Sequence, residues 1–140
     1  MKVRRVNRYT CDFCKRSNCS ASAISSHESK CFKNPNRHCT ICEAQWPIDG
    51  LAAPMAALAD VDKGTEEKLI QAVANAVDHC PACICSALNQ CDRPILEWDN
   101  EYGDSGKYKY RFEWDYKKAR DEYLNDQRRE EASLVWPPRP

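Results

Sequence analysis

A small α+β fold, assembled from short modules and stapled by its cysteines, is what the sequence predicts, on three observations. Only 22 of the 140 residues are Leu, Ile, Val or Phe, a share at which a chain rarely buries enough apolar surface to hold itself together unaided. Ten cysteines supply the missing help, most of them in closely spaced pairs. Finally, the hydrophobic period changes along the chain, helical in the middle and near the end and alternating in between.

Charge and cysteine content divide the chain in the same way. Its net charge is zero, from 21 basic and 21 acidic residues, so it is no simple polycation for nucleic acid. Residues 1–38 carry nine Lys/Arg and two acids, residues 39–106 three and twelve, and residues 107–140 nine and seven. Four cysteines fall in the first block, six in the second and none in the third. The expected units are 1–33, a basic arm with a cysteine-rich segment, 34–92, an acidic cysteine-rich segment, and 93–140, a segment held by packing alone. Met1-Lys2-Val3-Arg4-Arg5 leads to polar residues with no apolar stretch of a secretory signal. The longest uncharged run, 79–91, spans 13 residues, short of the roughly 20 a membrane helix needs. A cytoplasmic chain with no membrane partner is expected, and reduced cysteines paired there read first as metal ligands.

The first ligand set is Cys11-Asp12-Phe13-Cys14, twelve residues, then His27-Glu28-Ser29-Lys30-Cys31, the pattern C-x2-C-x12-H-x3-C. An x2 knuckle turns two thiolates toward one point. A His and a Cys four apart on a helix share a face, and Cys11, Cys14, His27 and Cys31 then complete a tetrahedron around zinc.

The second set pairs His38-Cys39-Thr40-Ile41-Cys42 with His79-Cys80-Pro81-Ala82-Cys83. Two knuckles provide four thiolates, Cys39, Cys42, Cys80 and Cys83, for a second zinc. Among the 37 residues between Cys42 and Cys80, a helix over 65–78 is predicted, capped by Thr65, acidic at Glu66 and Glu67, with a stripe of Leu69, Ile70, Val73 and Val77. Before it, 51–59 with Pro54 reads as a loop with a short helical turn. After it, Pro81 suits the first position of another helix running through Leu88, with Asn89 near its end. Cys80 and Cys83 then lie in its first turn, where backbone amides favour thiolates. Cys85 and Cys91 are left as spare thiols beside the site, with Cys85, Cys91, His38 and His79 as alternative ligands.

In the last unit Pro94-Ile95-Leu96-Glu97-Trp98, the Gly103-Asp104-Ser105-Gly106 turn, and Tyr108, Tyr110, Phe112 and Trp114 alternating with charged residues predict a β-hairpin. These four aromatics are the candidate protein-binding face. A helix from about residue 115 to about 132 follows, on Tyr116, Ala119, Tyr123 and Leu124 at helical spacing. The run Trp136-Pro137-Pro138-Arg139-Pro140 reads as a frayed end, or as a polyproline ligand.

The ligand spacing over residues 9–31 resembles the C2H2-type zinc finger in its C2HC variant, with Tyr9 and Ile24 at the expected aromatic and apolar positions. The resemblance implies a ββα-like finger. The finger's usual phenylalanine falls at Asn18, which leaves Cys19 to fill the small core. In that register the base-reading positions are Ser20, Ala23 and Ser26, too short to reach base edges. Lys2, Arg4, Arg5, Arg8, Lys15 and Arg16 offer nonspecific phosphate contacts instead.

The chain from about 9 to 91 also resembles small cysteine-rich proteins of bacteriophages and mobile elements. These pair a finger of the type His27-Glu28-Ser29-Lys30-Cys31-Phe32-Lys33-Asn34-Pro35 with a later Cys80-Pro81-Ala82-Cys83. That resemblance implies a regulatory, anti-defence or virion-associated role, placing the protein in the host cytoplasm or the virion. The sequence reading is a non-enzymatic protein with two zinc ions per chain that binds protein, as an inhibitor or virion factor. The alternatives are a nonspecific nucleic-acid-binding regulator and an iron-sulfur or redox protein. A thioredoxin-like pair would follow a β-strand, whereas a helix is predicted before Cys80. The H-x-E and P-C-x2-C signature of zinc deaminases is absent.

Overall fold

The computed structural model describes the backbone of residues 1–134 and the side chains of residues 1–132; the Pro-rich end expected at 136–140 lies outside the described residues. Within them the chain is a small α+β protein with two two-stranded antiparallel sheets and five helices.

Strands β1 (Tyr9–Thr10) and β2 (Ser17–Asn18) pair with Tyr9 opposite Asn18, and helix α1 (Ala21–Lys30) follows. The Ser20 hydroxyl accepts the Ala23 amide at 3.3 Å and caps α1. Ile24 is the one buried residue of α1. Cys19 does not fill the core as expected: it is exposed, because the Asn18 side chain accepts the Ser20 amide at 2.9 Å and turns the connection outward.

Helix α2 (Ala52–Ala57) runs into a 3-10 turn at Leu58–Asp60, which matches the short turn expected there. Helix α3 (Glu66–Ala76) is capped differently from the prediction. Thr65 stands at the cap position without a capping side-chain bond. Asp62 serves instead, its Oδ1 accepting the amides of Gly64 and Thr65 at 2.8 and 2.9 Å. The Thr65 hydroxyl points back to accept the Asp62 amide, and Thr65 already has helical backbone angles, a state in which a side chain does not cap. Helix α4 (Pro81–Gln90) begins at Pro81 as expected and is the most deeply buried element. Leu58, Val73 and Ala87 pack there with Cys39, Cys80 and Cys83, all fully buried, so the core is built around the second cysteine set.

Strands β3 (Ile95–Asp99) and β4 (Ser105–Lys109) form the hairpin, with Leu96 opposite Tyr108 and Trp98 opposite Gly106. Asn100 closes the turn by accepting the amides of Tyr102 and Asp104, and Gly103 takes a φ of +81° there. The alternation through Trp114 overestimates this strand, which stops at Lys109. From Tyr110 the chain leaves the sheet and lies on the core: Tyr110 is buried, its ring edge-on to Phe112 at 5.4 Å, and Glu66 of α3 accepts the Glu113 amide at 2.9 Å. Phe112, Trp114 and Tyr116 pack against the core. Helix α5 (Tyr116–Leu134) then packs on α4, and the Tyr116, Ala119, Tyr123 and Leu124 expected on its apolar stripe are partly buried.

Polar and aromatic contacts cross between the three expected units. Phe32 packs edge-on to Tyr116 at 5.4 Å, and the Gln90 amide group donates to the carbonyls of Phe32 and Asn34 at 2.8 and 3.0 Å. Asn34 itself donates to the Glu28 carbonyl at 2.7 Å. No helix among the described residues is long and apolar enough to cross a membrane.

Candidate metal centres

Both knuckles have the same backbone form. The Cys11 amide donates to the Arg16 carbonyl at 2.7 Å and the Cys39 amide to the Ala44 carbonyl at 2.9 Å, five residues on in each case. The residue after each second cysteine, Lys15 and Glu43, takes a positive φ, 66° and 61°. Two non-glycine residues at equivalent strained positions show that the turn around each sulfur pair is imposed, since such a conformation is unfavourable in isolation.

At the first centre α1 brings His27 and Cys31 to the knuckle. The ligand atoms of Cys11, Cys14, His27 and Cys31 lie within 4.8 Å of one another. Cys14 Sγ stands 3.1 Å from His27 Nε2. Glu28, next to the ligand His27, accepts the Asp12 amide at 3.0 Å and so ties the knuckle to the helix.

At the second centre the chain must reverse between α3 and α4. Asp78 and His79 both take positive φ, 52° and 61°, and deliver Cys80 to the start of α4. The donor atoms of Cys39, Cys42, Cys80 and Cys83 again lie within 4.8 Å. Cys39 Sγ is 3.7 Å from Cys80 Sγ, and Cys42 Sγ is 3.5 Å from Cys83 Sγ. These separations are far beyond a disulfide bond, and all ten cysteines are free. A tetrahedral ion with metal–sulfur bonds of about 2.3 Å needs roughly 3.8 Å between sulfurs, close to what is seen.

The donor chemistry fits a cation. The thiol of Cys14 is lowered to about 6 by the Arg16 amide, with His27 helping, while burial pushes Cys31 up to about 11. Cys80 is lowered to about 5 by a hydrogen bond from the Cys83 thiol. Burial pushes Cys42 up to about 11, and Cys83 is raised by the proton it shares with Cys80. Each centre favours one thiolate and resists the next, the repulsion that a bound divalent ion removes. The Trp46 indole N–H is a buried donor with no nitrogen or oxygen acceptor in reach. It faces Cys83 and favours that thiolate, which supplies the N–H···S contact that a metal-bound sulfur accepts. Both clusters can therefore hold a metal ion.

The alternative ligands are elsewhere. His38 and His79 are exposed and belong to neither cluster. Cys85 and Cys91 are partly buried thiols outside both sets, raised by burial, Cys85 to about 11. Lys2, Arg4, Arg5, Arg8, Lys15 and Arg16 are all exposed, the first four ahead of β1 and the last two on the first knuckle. Arg8 donates to the Ser17 hydroxyl at 3.2 Å and Lys15 to the Asp12 carbonyl at 3.1 Å. Of the four aromatics expected to face a partner, only Tyr108 is exposed; Tyr110 is buried, and Phe112 and Trp114 pack against the core. One face of the hairpin carries Leu96, Trp98 and Tyr108 instead, at 36%, 45% and 48% exposure, and the other face Ile95 at 62%. Trp98 lies over Gly106, where any added side chain would collide with the indole.

Sequence reasoning missed Glu28, Trp46 and Arg37. Adjacency of Glu28 to His27 was the one available signal; the roles of the other two depend on contacts between distant segments. No protein-family model, no curated protein and no solved structure matches the chain.

Proposed function

We propose that the protein is a non-enzymatic two-zinc binding module that acts by contacting another protein, in line with the accessory role its phage-type resemblance implies. The observation that carries this reading is the hairpin face of Leu96, Trp98 and Tyr108, an apolar surface left open by a chain with little apolar material to spare. Zinc is the ion that sulfur-rich tetrahedral donor sets of this kind suit, and the first centre is read as a ββα-like finger of the C2HC type. A full set of four protein ligands at each centre leaves no open coordination position for a substrate, which supports a structural role. Donor atoms within 4.8 Å suit one ion, whereas a multi-iron cluster spreads its cysteines around several metals. Cys80 and Cys83 are fully buried, out of reach of the thiol exchange that a redox pair performs.

The test is affinity capture with a tagged chain, with and without nuclease, comparing wild type with the double variant Trp98→Ala, Tyr108→Ala. A protein captured by wild type despite nuclease, and lost from a variant with normal metal content, is the expected result. Capture that disappears with nuclease supports the second reading, in which the six exposed cations from Lys2 to Arg16 hold nucleic acid through its phosphates.

A further inference from the structure

Among the described residues Arg37 is the largest fully buried side chain, at 2% exposure. No carboxylate among the described residues pairs with it. Its Nε donates to the Lys30 carbonyl at 3.3 Å and its Nη1 to the Ala82 carbonyl at 3.5 Å, with the guanidinium 5.1 Å above the Phe32 ring. Lys30 immediately precedes Cys31, a ligand of the first centre, and Ala82 immediately precedes Cys83, a ligand of the second. Arg37 itself stands two residues before Cys39, and its own carbonyl accepts the Trp46 amide at 2.9 Å. One buried fork thus touches the backbone beside a ligand in each cluster.

A buried cation held by two carbonyls and a ring is left short of countercharge, an arrangement that is ordinarily unfavourable. The metal reading supplies that charge. Four thiolates around a divalent ion carry a net charge of about −2, and three thiolates with a neutral imidazole about −1. We propose that Arg37 is the shared countercharge and positioning residue of both metal centres, so that the two load as a coupled pair. Metal at one centre fixes the backbone that one arm of Arg37 grips, and the other arm is then already placed at the second. This inference rests on the two-metal reading above.

The experiment is zinc affinity by chelator competition on the full chain, comparing wild type, Arg37→Met and Arg37→Lys. Cobalt(II) substitution separates the three-sulfur and four-sulfur centres by their visible bands. Wild type should bind two ions. Arg37→Met keeps the packing volume, and it should weaken both centres, each at least tenfold, the range over which outer contacts tune metal sites. Arg37→Lys keeps the charge but cannot fork, and should fall between the two. If Arg37→Met aggregates, Arg37→Lys alone decides: affinity at both centres within twofold of wild type overturns the proposal, as does loss confined to one centre in either variant. Fewer than two ions in wild type overturns the two-metal reading itself, before any substitution is compared.

Discussion

Replacing Cys83 by Ser removes one thiolate from a centre that lies in the middle of the core. Cys39, Cys80 and Cys83 are fully buried beside Leu58, Val73 and Ala87, so this site and the apolar core are one structure. A structural zinc of this donor type contributes on the order of 10 kcal/mol to folding. The net stability of a domain is only about 5–15 kcal/mol. Truncating one large core side chain costs about 2–5 kcal/mol, so loss of this ion equals at least two such truncations and takes most or all of the margin. Cys83→Ser should therefore lose the second metal and its cooperative unfolding transition. Cys91→Ala, outside both ligand sets, should keep two metals and lose only about 1–2 kcal/mol. Elemental analysis of each purified variant, with thermal unfolding followed by circular dichroism before and after chelator, measures both effects. The reasoning is refuted if Cys83→Ser retains two ions and melts within a few degrees of wild type, or if Cys91→Ala loses one.

Two further outcomes follow from charge and protonation. Six exposed cations from Lys2 to Arg16 can neutralise about six phosphates, so any duplex affinity should fall with salt at a log-log slope no steeper than roughly −5 and hardly depend on sequence. Arg4→Glu, Arg5→Glu and Arg8→Glu together should abolish it with metal content unchanged; filter binding that is salt-insensitive or survives this reversal would exclude phosphate contact by the arm. Metal affinity should also rise with pH through neutrality, because Cys31 and Cys42, held up at about 11, must release protons to bind. Cys14 and Cys80, lowered to about 6 and about 5, remain thiolates at neutral pH and are lost as ligands when acid passes those values. Competition assays at stepped pH should show a gradual decline down to about pH 6 and a steep one below it; a flat profile across that range contradicts the ligand assignment.

What was legible in the sequence is what short spacing dictates. A C-x2-C knuckle and a His and Cys four apart fix their geometry through a few backbone angles, so each cysteine pair and the His27–Cys31 pair were legible from residue spacing, while the second set still left Cys85, Cys91, His38 and His79 as alternatives. Pro81 at the start of α4 and the helical stripe of α5 are local in the same sense. The rest needed the tertiary structure. Cys39 meets Cys80 across 41 residues of chain, which the strained backbone at Asp78 and His79 brings about. Thr65 loses the capping role to Asp62 because the preceding turn has already wound it into helical angles. Period two cannot tell an exposed aromatic from a buried one once a strand has ended, so Tyr110, Phe112 and Trp114 turned inward where alternation placed them outward. Arg37 and Trp46 carry no pattern at all. An arginine in a basic segment reads as solvated, and only the packing of that segment between two sulfur clusters makes it a buried charge.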